Sequence, residues 1–426
     1  MSKIRVAVAG VGSCSSALIQ GIQWYLDHPE ETIGLMYEEI GGYKVTDLEF
    51  VAGFDIDSRK VGSYLRDAIF EKPNRNMRHV NNISESVIPA GAIVYKGPVL
   101  DGVAPHMEDY PEDVTFKVDE ETKPVADYTY IQILKALNVD VLLNYMPVGS
   151  EEASKFYIEN AIKAGVSVVN CMPSYISTED SKKLEALAIQ NKVTIVGSDM
   201  RSAYGASRLS EVIQGSMLDS GLLVTQHIQT NMAAGSTQGE YDIRCGRTAN
   251  TDFLNMAVQN RLKNKHISKE NVLSGQNTVR EKGVEGATMF AGPSLTVMQK
   301  PGGKYIGTDN KVANFDIVAY GWAGARYELT ARLSVQDSPN SGGIVADAIR
   351  FCKVARELTV VGYLRGPSAW TQKTPPIQMK TSDAKFECDA LARRIVTSSL
   401  EKQLEKNDPK PDDLDWTFQK SVTDYE

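Results

Sequence analysis

The segment "KNKHISKE" at residues 263–270 concentrates lysine side chains in a chain whose formal net charge is −8. In a helix, Lys265 and Lys269 would lie one turn apart on the same face, where like charges destabilise the helix by roughly 0.2–0.5 kcal/mol. An anion bound between the two lysines would reverse the sign of that interaction. The segment is equally typical of a solvated helix start capped by Ser268 or Asn264, so both interpretations stay open.

A second group of residues predicts a dinucleotide site. The stretch "IRVAVAGVGSCSSALIQGI" at 4–22 is typical of a buried strand, a glycine turn and an amphipathic helix. Gly10 and Gly12 occupy the first two glycine positions of the G-x-G-x-x-G motif, where they permit a tight turn and the approach of a pyrophosphate. Ser15 stands in place of the third glycine, so the motif alone is a weak indication.

The next strand pattern, "LEFVAGFDID", ends near Asp55. An acidic residue at this strand end can bind the ribose hydroxyls and disfavours a 2′-phosphate, which favours NAD over NADP. The separation between Gly12 and Asp55 is about twice the usual one of roughly 20 residues, so we expect an insertion around "MYEEIGGYKV". A helix-capping role for Asp55 or Asp57 is the alternative interpretation.

Composition excludes several classes of protein. The chain has 426 residues, 42% hydrophobic and 23% charged, which is typical of a globular protein with two or three domains. No apolar run reaches the roughly 18–20 residues of a membrane span, and no signal-peptide pattern is present, so we expect a cytoplasmic protein with no membrane partner. A pI near 5.4 argues against a basic face for nucleic acid. Five widely spread cysteines argue against a disulfide framework or a CxxC metal site.

Hydrophobic patterning predicts how the elements that position these residues are organised. Apolar strand patterns alternate with helical stretches up to about residue 200, which predicts an α/β fold with a doubly wound parallel sheet. Longer alternating stretches then predict antiparallel strands in an α+β insert. The predicted divisions are a dinucleotide-binding Rossmann domain at 1–203, an inserted domain at 204–336, a return to the first domain at 337–410 and a flexible tail at 411–426.

Several segments, taken as a set, resemble sequences of the myo-inositol-1-phosphate synthases, particularly of the shorter bacterial type. They are "VAVAGVGSCSSALIQG", "FVAGFDID", "GPVLDG", "NYMPVGSEEASKFY", "NTDFLNM", "KHISK", "DSPNSGG" and "SAWTQKTPP". The resemblance implies a Rossmann domain that binds NAD, interrupted by an α+β domain for catalysis and tetramerisation. It also implies conversion of glucose 6-phosphate, a small-molecule sugar phosphate, to an inositol phosphate by a homotetramer.

The resemblance assigns roles to particular side chains. In the implied reaction a sugar carbinol is oxidised, the adjacent carbon loses a proton, the enolate attacks the aldehyde, and the product is reduced. Negative charge develops repeatedly, which lysines in a closed site can stabilise. The implied catalytic residues are Lys265, Lys269, Lys311, Lys373, Asp199, Asn231 and Asp252. The implied cofactor contacts, beside Gly10, Gly12 and Asp55, are Ser13, Cys14, Asp101, Pro147, Asp199, Ser338 and Asn340.

Asp337 and three of the catalytic candidates carry an alternative interpretation. Asp337 is expected near the nicotinamide or a bound monovalent or divalent cation, although it could instead open a turn. Lys311 could lie in a hairpin turn, and Asp199 and Asp252 could be helix caps.

Two departures from the family pattern bear on the substrate. Arg201 stands where a lysine is expected in the "GSDMRS" stretch, and an arginine cannot act as a titrating base. An apparent insertion at 236–249 brings Arg244 and Arg247 towards the same region. The alternative functions are therefore a sister cyclase acting on another sugar phosphate such as fructose 6-phosphate, a plain NAD-dependent sugar dehydrogenase, and a non-catalytic NAD-binding protein.

Overall fold

The structure of the chain is a computed structural model that describes residues 3–74, 76–103, 115–233, 264, 267–268, 288–293, 309–395 and 397. For 230–233, 288–293 and 310 only the backbone is described. The predicted tail at 411–426 and the insertion at 236–249 lie outside these residues.

The described strands and helices follow one another along the chain in this way. The strands are β1 (Ile4–Ala9), β2 (Glu39–Ile40), β3 (Tyr43–Lys44), β4 (Leu48–Asp55), β5 (Val94–Lys96), β6 (Val141–Asn144), β7 (Ser167–Asn170), β8 (Thr194–Gly197), β9 (Leu223–Ala233), β10 (Thr288–Pro293), β11 (Asn310–Tyr320), β12 (Arg326–Gln336) and β13 (Gly362–Tyr363). The helices are α1 (Ser13–Asp27), α2 (Leu65–Ala68), α3 (Asp127–Ala136), α4 (Glu151–Lys163), α5 (Thr178–Gln190), α6 (Ala206–Asp219), α7 (Pro339–Glu357), α8 (Arg365–Thr371) and α9 (Thr381–Ala392).

Within the described residues, the larger sheet has seven strands in the order β13-β8-β7-β6-β1-β4-β5, and every pairing in it is parallel. The chain runs from β1 to β4 and β5 on one side, and then returns to place β6, β7 and β8 on the other. The strand order therefore reverses between β1 and β6, and ligands of such sheets bind at the carboxyl ends of the strands beside this point. The α/β fold predicted from the sequence is confirmed.

The apolar runs form strands because both faces of the sheet are covered by helices. Side chains alternate across β1: Val6 and Val8 pack on one face with residues of α1 and α7. Ala7 and Ala9 pack on the opposite face with residues of α3, α4 and α5. All four side chains are fully buried, so a polar residue at any of these positions would lie in the core.

The second sheet has the order β10-β9-β11-β12. Strand β11 pairs antiparallel with both β9 and β12, as the alternating patterns predicted. Strand β10, by contrast, pairs parallel with β9. Helix α6 packs on this sheet through a small core around Val224 and Ile317.

After this second sheet the chain returns to the first one, where α7 packs beside α1 and β13 extends the order beyond β8. The domain boundaries drawn at 203, 336 and 410 stay predictions. No helix in the described part of the chain is both long and apolar enough to span a bilayer.

Candidate active site

The turn between β1 and α1 is shaped by its two glycines. Gly10 has a φ of +92°, and a Cβ built there would lie 2.5 Å from the carbonyl oxygen of Tyr145, so only glycine fits. Among the described residues, no heavy atom lies within 4 Å of a Cβ built at Gly12. The turn therefore has a closed side against the loop after β6 and an open side at Gly12, an arrangement that suits a pyrophosphate.

Ser15 replaces the third glycine of the motif without loosening the turn. Its side chain is 1% exposed, and its hydroxyl donates a hydrogen bond of 2.6 Å to the carbonyl oxygen of Gly10. The serine thus ties the first turn of α1 to the start of the glycine loop. This hydrogen bond explains how the turn keeps its shape with Ser15 in place of the third glycine.

Asp55 lies at the end of β4, next to the glycine loop. Its Oδ2 accepts from the amide of Val11 at 2.9 Å, and its Oδ1 accepts from the amides of Ile56 and Asp57 at 2.8 and 3.0 Å. The next helix, α2, begins only at Leu65, so the interpretation of Asp55 as a helix cap is wrong. The hairpin β2–β3 lies in the long connection between α1 and β4, where an insertion was expected.

A buried polar ladder joins three strand ends beside this loop. Asn144, at the end of β6, donates from Nδ2 to Oδ1 of Asn170, at the end of β7, at 2.9 Å. Asn170 in turn donates to the hydroxyl of Ser198, which follows β8, at 3.0 Å. We did not identify these residues from the sequence, although the repeated Asn-x-Met-Pro in "NYMP" and "NCMP" is a visible signal.

Asp199 follows this ladder and is the centre of the second part of the site. It is fully buried, with a φ of +61°. Its Oδ1 lies 3.2 Å from Nζ of Lys373, and its Oδ2 accepts a 2.6 Å hydrogen bond from the hydroxyl of Ser268. Ser268 also accepts from the hydroxyl of Thr374 at 2.7 Å. The lysine-rich segment therefore reaches the same buried carboxylate as Lys373.

The segments around Asp199 and Lys373 are held together by their backbones. Ser198 and Thr374 exchange two backbone hydrogen bonds of 3.0 and 3.1 Å. The amide of Lys373 donates to the carbonyl of Asp199 at 2.8 Å, and the amide of Arg201 donates to Thr371 at 2.8 Å. These four backbone hydrogen bonds fix the direction from which Lys373 approaches the carboxylate of Asp199.

Arg201 follows Asp199 by two residues and is buried. Its guanidinium is 1% exposed and forms an ion pair with Glu211 of α6, while Nε donates to the carbonyl of Gln372. Arg208 reaches the same carboxylate at 3.3 Å. The ion pair gives Arg201 a structural role on Glu211, and a bearing of Arg201 on the choice of substrate stays a prediction.

Lys311 and Asp337 form a third part of the site. Nζ of Lys311 lies 3.1 and 3.4 Å from the two carboxylate oxygens of Asp337. Lys311 is the second residue of β11, so the hairpin-turn interpretation is wrong. The described residues contain no group of three or more His, Cys, Asp or Glu side chains that could hold a metal ion, and a cation at Asp337 stays a prediction.

Asp309, which we did not single out in the sequence, positions the start of α7. Its two oxygens accept from the amide and the hydroxyl of Ser338 at 3.0 and 2.8 Å. The Ser338 hydroxyl lies 3.9 Å from the thiol of Cys14, which follows Ser13 in the first turn of α1. The beginnings of α1, α7 and β11 therefore meet at one place.

Three other predicted cofactor residues have structural contacts of their own. Asp101 accepts from the amides of Glu152 and Ala153, at 2.8 and 3.1 Å, and so caps α4. The carbonyl of Pro147 accepts from the amide at the Ser150 position at 3.1 Å, in the loop after β6. Asn340 donates to the carbonyl of Tyr204 at 2.8 Å. Their contacts with a cofactor stay predictions.

The remaining predicted catalytic residues are not described in side-chain detail. Lys265, Lys269 and Asp252 lie outside the described residues. Asn231 is described by its backbone alone, which pairs with Ala313 of β11 and Pro293 of β10.

Glu151 adds a titratable group beside the lysine-rich segment. It is the first residue of α4 and accepts a 2.9 Å hydrogen bond from the side-chain amide of Asn264. Burial raises the pKa of Glu151 to about 7, and the nearby carboxylate of Asp101 acts in the same direction. Nothing in the sequence distinguishes this glutamate from Glu152, because burial is decided by tertiary packing.

Sequence comparisons place the chain beside known synthases. A family model described as myo-inositol-1-phosphate synthase matches residues 246–338. The chain is 35% identical over 392 residues to the inositol-3-phosphate synthase of Mycolicibacterium smegmatis, covering 91% of this chain and 97% of that protein. It is 34% identical over 398 residues to the inositol-3-phosphate synthase of Corynebacterium glutamicum, covering 91% and 98%.

Solved structures give the same picture at the level of the fold. The crystal structure of Ari2 matches with a TM-score of 0.66 at 26% identity, covering 92% of this chain and 99% of that one. A myo-inositol-1-phosphate synthase-related protein from Thermotoga maritima also gives a TM-score of 0.66, over 92% of this chain and 99% of that one. At 16% identity, the second likeness shows the fold alone.

We predict that Arg201→Met lowers the free energy of unfolding by roughly 3 kcal/mol, because it leaves the buried Glu211 with one cation instead of two. The matched control is Arg326→Met. Arg326 pairs with Glu328 but is 56% exposed, so we expect a change within about 0.5 kcal/mol. Urea denaturation followed by tryptophan fluorescence measures both. Equally small changes in the two variants would contradict the structural role of Arg201.

We predict a specific pH dependence from Glu151. Its pKa is about 7 in the folded chain against an ordinary 4.5, so the folded state holds its proton more tightly. As pH rises from 4.5 to 7 the unfolded chain ionises first, and the free energy of unfolding falls by on the order of 2 kcal/mol. Glu151→Gln removes this loss, whereas Glu152→Gln, at a position 63% exposed, keeps it. Denaturation curves at pH 5 and pH 8 test this, and parallel behaviour of Glu151→Gln and wild type would refute it.

Proposed function

Because the chain belongs to the myo-inositol-1-phosphate synthase family, we propose that it is an isomerase that cyclises glucose 6-phosphate to an inositol phosphate with recycled NAD. The sequence relation supports this proposal, since relatives named inositol-3-phosphate synthase match along 91% of the chain. The observation that carries it is the meeting of Asp199, Lys373 and Ser268 at the carboxyl end of β8. Three distant parts of the sequence that resemble the family converge there.

The glycine loop supports the binding of NAD. When bound, NAD would accept a hydride from the substrate and later return it. Gly12 leaves open space where a pyrophosphate would approach, and Asp55 lies at the strand end where ribose hydroxyls are expected. A carboxylate has about four acceptor positions, and Asp55 uses three for backbone amides, so it keeps capacity for a hydroxyl.

The lysines support the electrostatic part of the reaction. Lys373 is held by Asp199 in a mostly buried position, where a hydrogen-bond donor stabilises developing negative charge far better than it would in water. Lys311 is oriented by Asp337 in a similar way. We assign the substrate phosphate and the oxyanion to Lys265, Lys269 and these two lysines. Asp199 then acts as the group that positions Lys373.

The other candidate functions have less support than the cyclase. A sister cyclase for fructose 6-phosphate was suggested by Arg201 and by the insertion at 236–249. Arg201 forms a buried ion pair, and the insertion lies outside the described residues. A plain dehydrogenase or a non-catalytic NAD-binding protein gives no reason for Lys373 to be held on a buried carboxylate. A cytoplasmic location, a homotetramer and a bound cation stay predictions.

We predict that the purified protein, incubated with NAD⁺ and glucose 6-phosphate, forms an inositol phosphate without lasting accumulation of NADH. Phosphorus NMR measures the product, and absorbance at the NADH band is followed in parallel. A product from fructose 6-phosphate alone would support the sister cyclase. Stoichiometric NADH would support a plain dehydrogenase, and either result would overturn the proposal.

We predict that Lys373→Met lowers kcat at least about 100-fold, since it removes a donor to developing negative charge. The affinity for NAD⁺ should fall by less than about tenfold, because the glycine loop is untouched while Asp199, an expected cofactor contact, loses one hydrogen-bonded partner. The control is Lys183→Met on α5, whose side chain is 68% exposed and pairs with Glu179. Steady-state kinetics and calorimetric titration with NAD⁺ measure both. Retained kcat in Lys373→Met would remove this lysine from the mechanism.

A further inference from the structure

Lys60 is a buried lysine with no role in the reaction described above. It lies between β4 and α2, and its side chain is 1% exposed. Its Nζ donates a 2.7 Å hydrogen bond to the carbonyl oxygen of Val11, inside the glycine loop, and a 2.9 Å hydrogen bond to Oδ1 of Asn74. Burial of a lysine is costly, so the contact with Val11 requires an explanation beyond packing.

Both polar groups of the Val11 residue are fixed by side chains from outside the loop. Its amide donates to Asp55 at 2.9 Å. Its carbonyl accepts from Lys60 and also from Nδ2 of Asn74, at 3.2 Å. Burial lowers the pKa of Lys60, while the carboxylates of Asp55 and Asp57 act in the opposite direction. Nζ carries hydrogens to donate in either protonation state.

Because a peptide unit is planar, fixing the carbonyl of Val11 also fixes the direction of the amide of Gly12. The carbonyl of Val11 and the amide of Gly12 belong to one planar trans peptide, in which the C=O and N–H bonds point in opposite directions. Because Lys60 and Asn74 hold the carbonyl towards the protein interior, the amide of Gly12 points away from it. In the described part of the chain no heavy atom lies within 4 Å of a Cβ built on Gly12, so none of it blocks a ligand that approaches this residue from the Cβ side.

We propose that Lys60 is a positioning residue that orients the Val11–Gly12 peptide so that the Gly12 amide donates to the pyrophosphate of the dinucleotide. Asn74 supports the same orientation through its weaker contact. The proposal rests on the proposed binding of NAD. It extends the dinucleotide site to a side chain that does not touch the cofactor.

The test compares ligands with and without a diphosphate. Calorimetric or NMR titrations give Kd values for NAD⁺, ADP and adenosine with wild type and Lys60→Met. We expect Lys60→Met to weaken the binding of NAD⁺ and ADP by about 10- to 100-fold, because the Gly12 amide is no longer oriented to donate to the charged diphosphate. The affinity for adenosine should fall less than about twofold, since its recognition does not use the Gly12 amide.

Lys96→Met is the matched control. Lys96 ends β5, is 7% exposed and donates a 2.6 Å hydrogen bond from Nζ to the carbonyl of Thr122, so it is also a buried lysine that holds a backbone carbonyl. We expect it to lose stability as Lys60→Met does while keeping the wild-type ratio of ADP to adenosine affinity. If Lys60→Met does not fold, Asn74→Ala should reduce that ratio by about two- to fivefold.

The outcomes separate this inference from the proposed function. If wild type prefers ADP to adenosine and Lys60→Met keeps the same preference, the positioning role is overturned and NAD binding stands. If Lys60→Met lowers the affinities for ADP and adenosine equally, the positioning role is also overturned, because that result indicates a general structural defect. If wild type binds neither NAD⁺ nor ADP, the proposed function fails as well.

Discussion

The buried carboxylate of Asp199 is the group on which the arrangement of the candidate site depends. An ionised carboxylate removed from water costs several kcal/mol unless cations and hydrogen-bond donors compensate it. Here the compensation comes from Lys373 and Ser268, which lie far apart in the sequence. The requirement to satisfy one negative charge thus brings the end of β8, the segment after α8 and the lysine-rich segment together. It also holds a lysine in place before any substrate arrives.

The same principle operates at the other end of the site, where the groups to be satisfied belong to the backbone. The glycine loop is held by side chains from three places: Ser15 on Gly10, and Asp55 and Lys60 on Val11. Both parts of the site lie at the carboxyl ends of strands in one parallel sheet, on either side of the point where strand order reverses. The proposed reaction needs a dinucleotide and a sugar phosphate in contact, and both parts of the candidate site lie on this edge of the sheet.

Patterns that depend on local sequence could be predicted, whereas tertiary contacts could not. The parallel strands and the glycine turn follow from apolar runs and residue spacing. The direction of the Arg201 side chain could not be predicted in this way, because its partner Glu211 is recognisable only once α6 is placed. Asp309, Glu151 and Lys60 were missed for the same reason: each acts through burial against an element distant in sequence. The parallel pairing of β10 also depends on tertiary context that periodicity does not report.

In the proposed reaction, one active site removes a hydride from the substrate and returns it to the same molecule. Glucose 6-phosphate carrying deuterium at carbon 5, the carbinol beside the phosphate-bearing carbon, tests this directly. The protein is incubated with this substrate and unlabelled NAD⁺, and the inositol phosphate is analysed by mass spectrometry. Retention of the deuterium in the ring is the predicted result. An inositol phosphate free of deuterium, or label accumulating in NADH, would contradict the return of the same hydride.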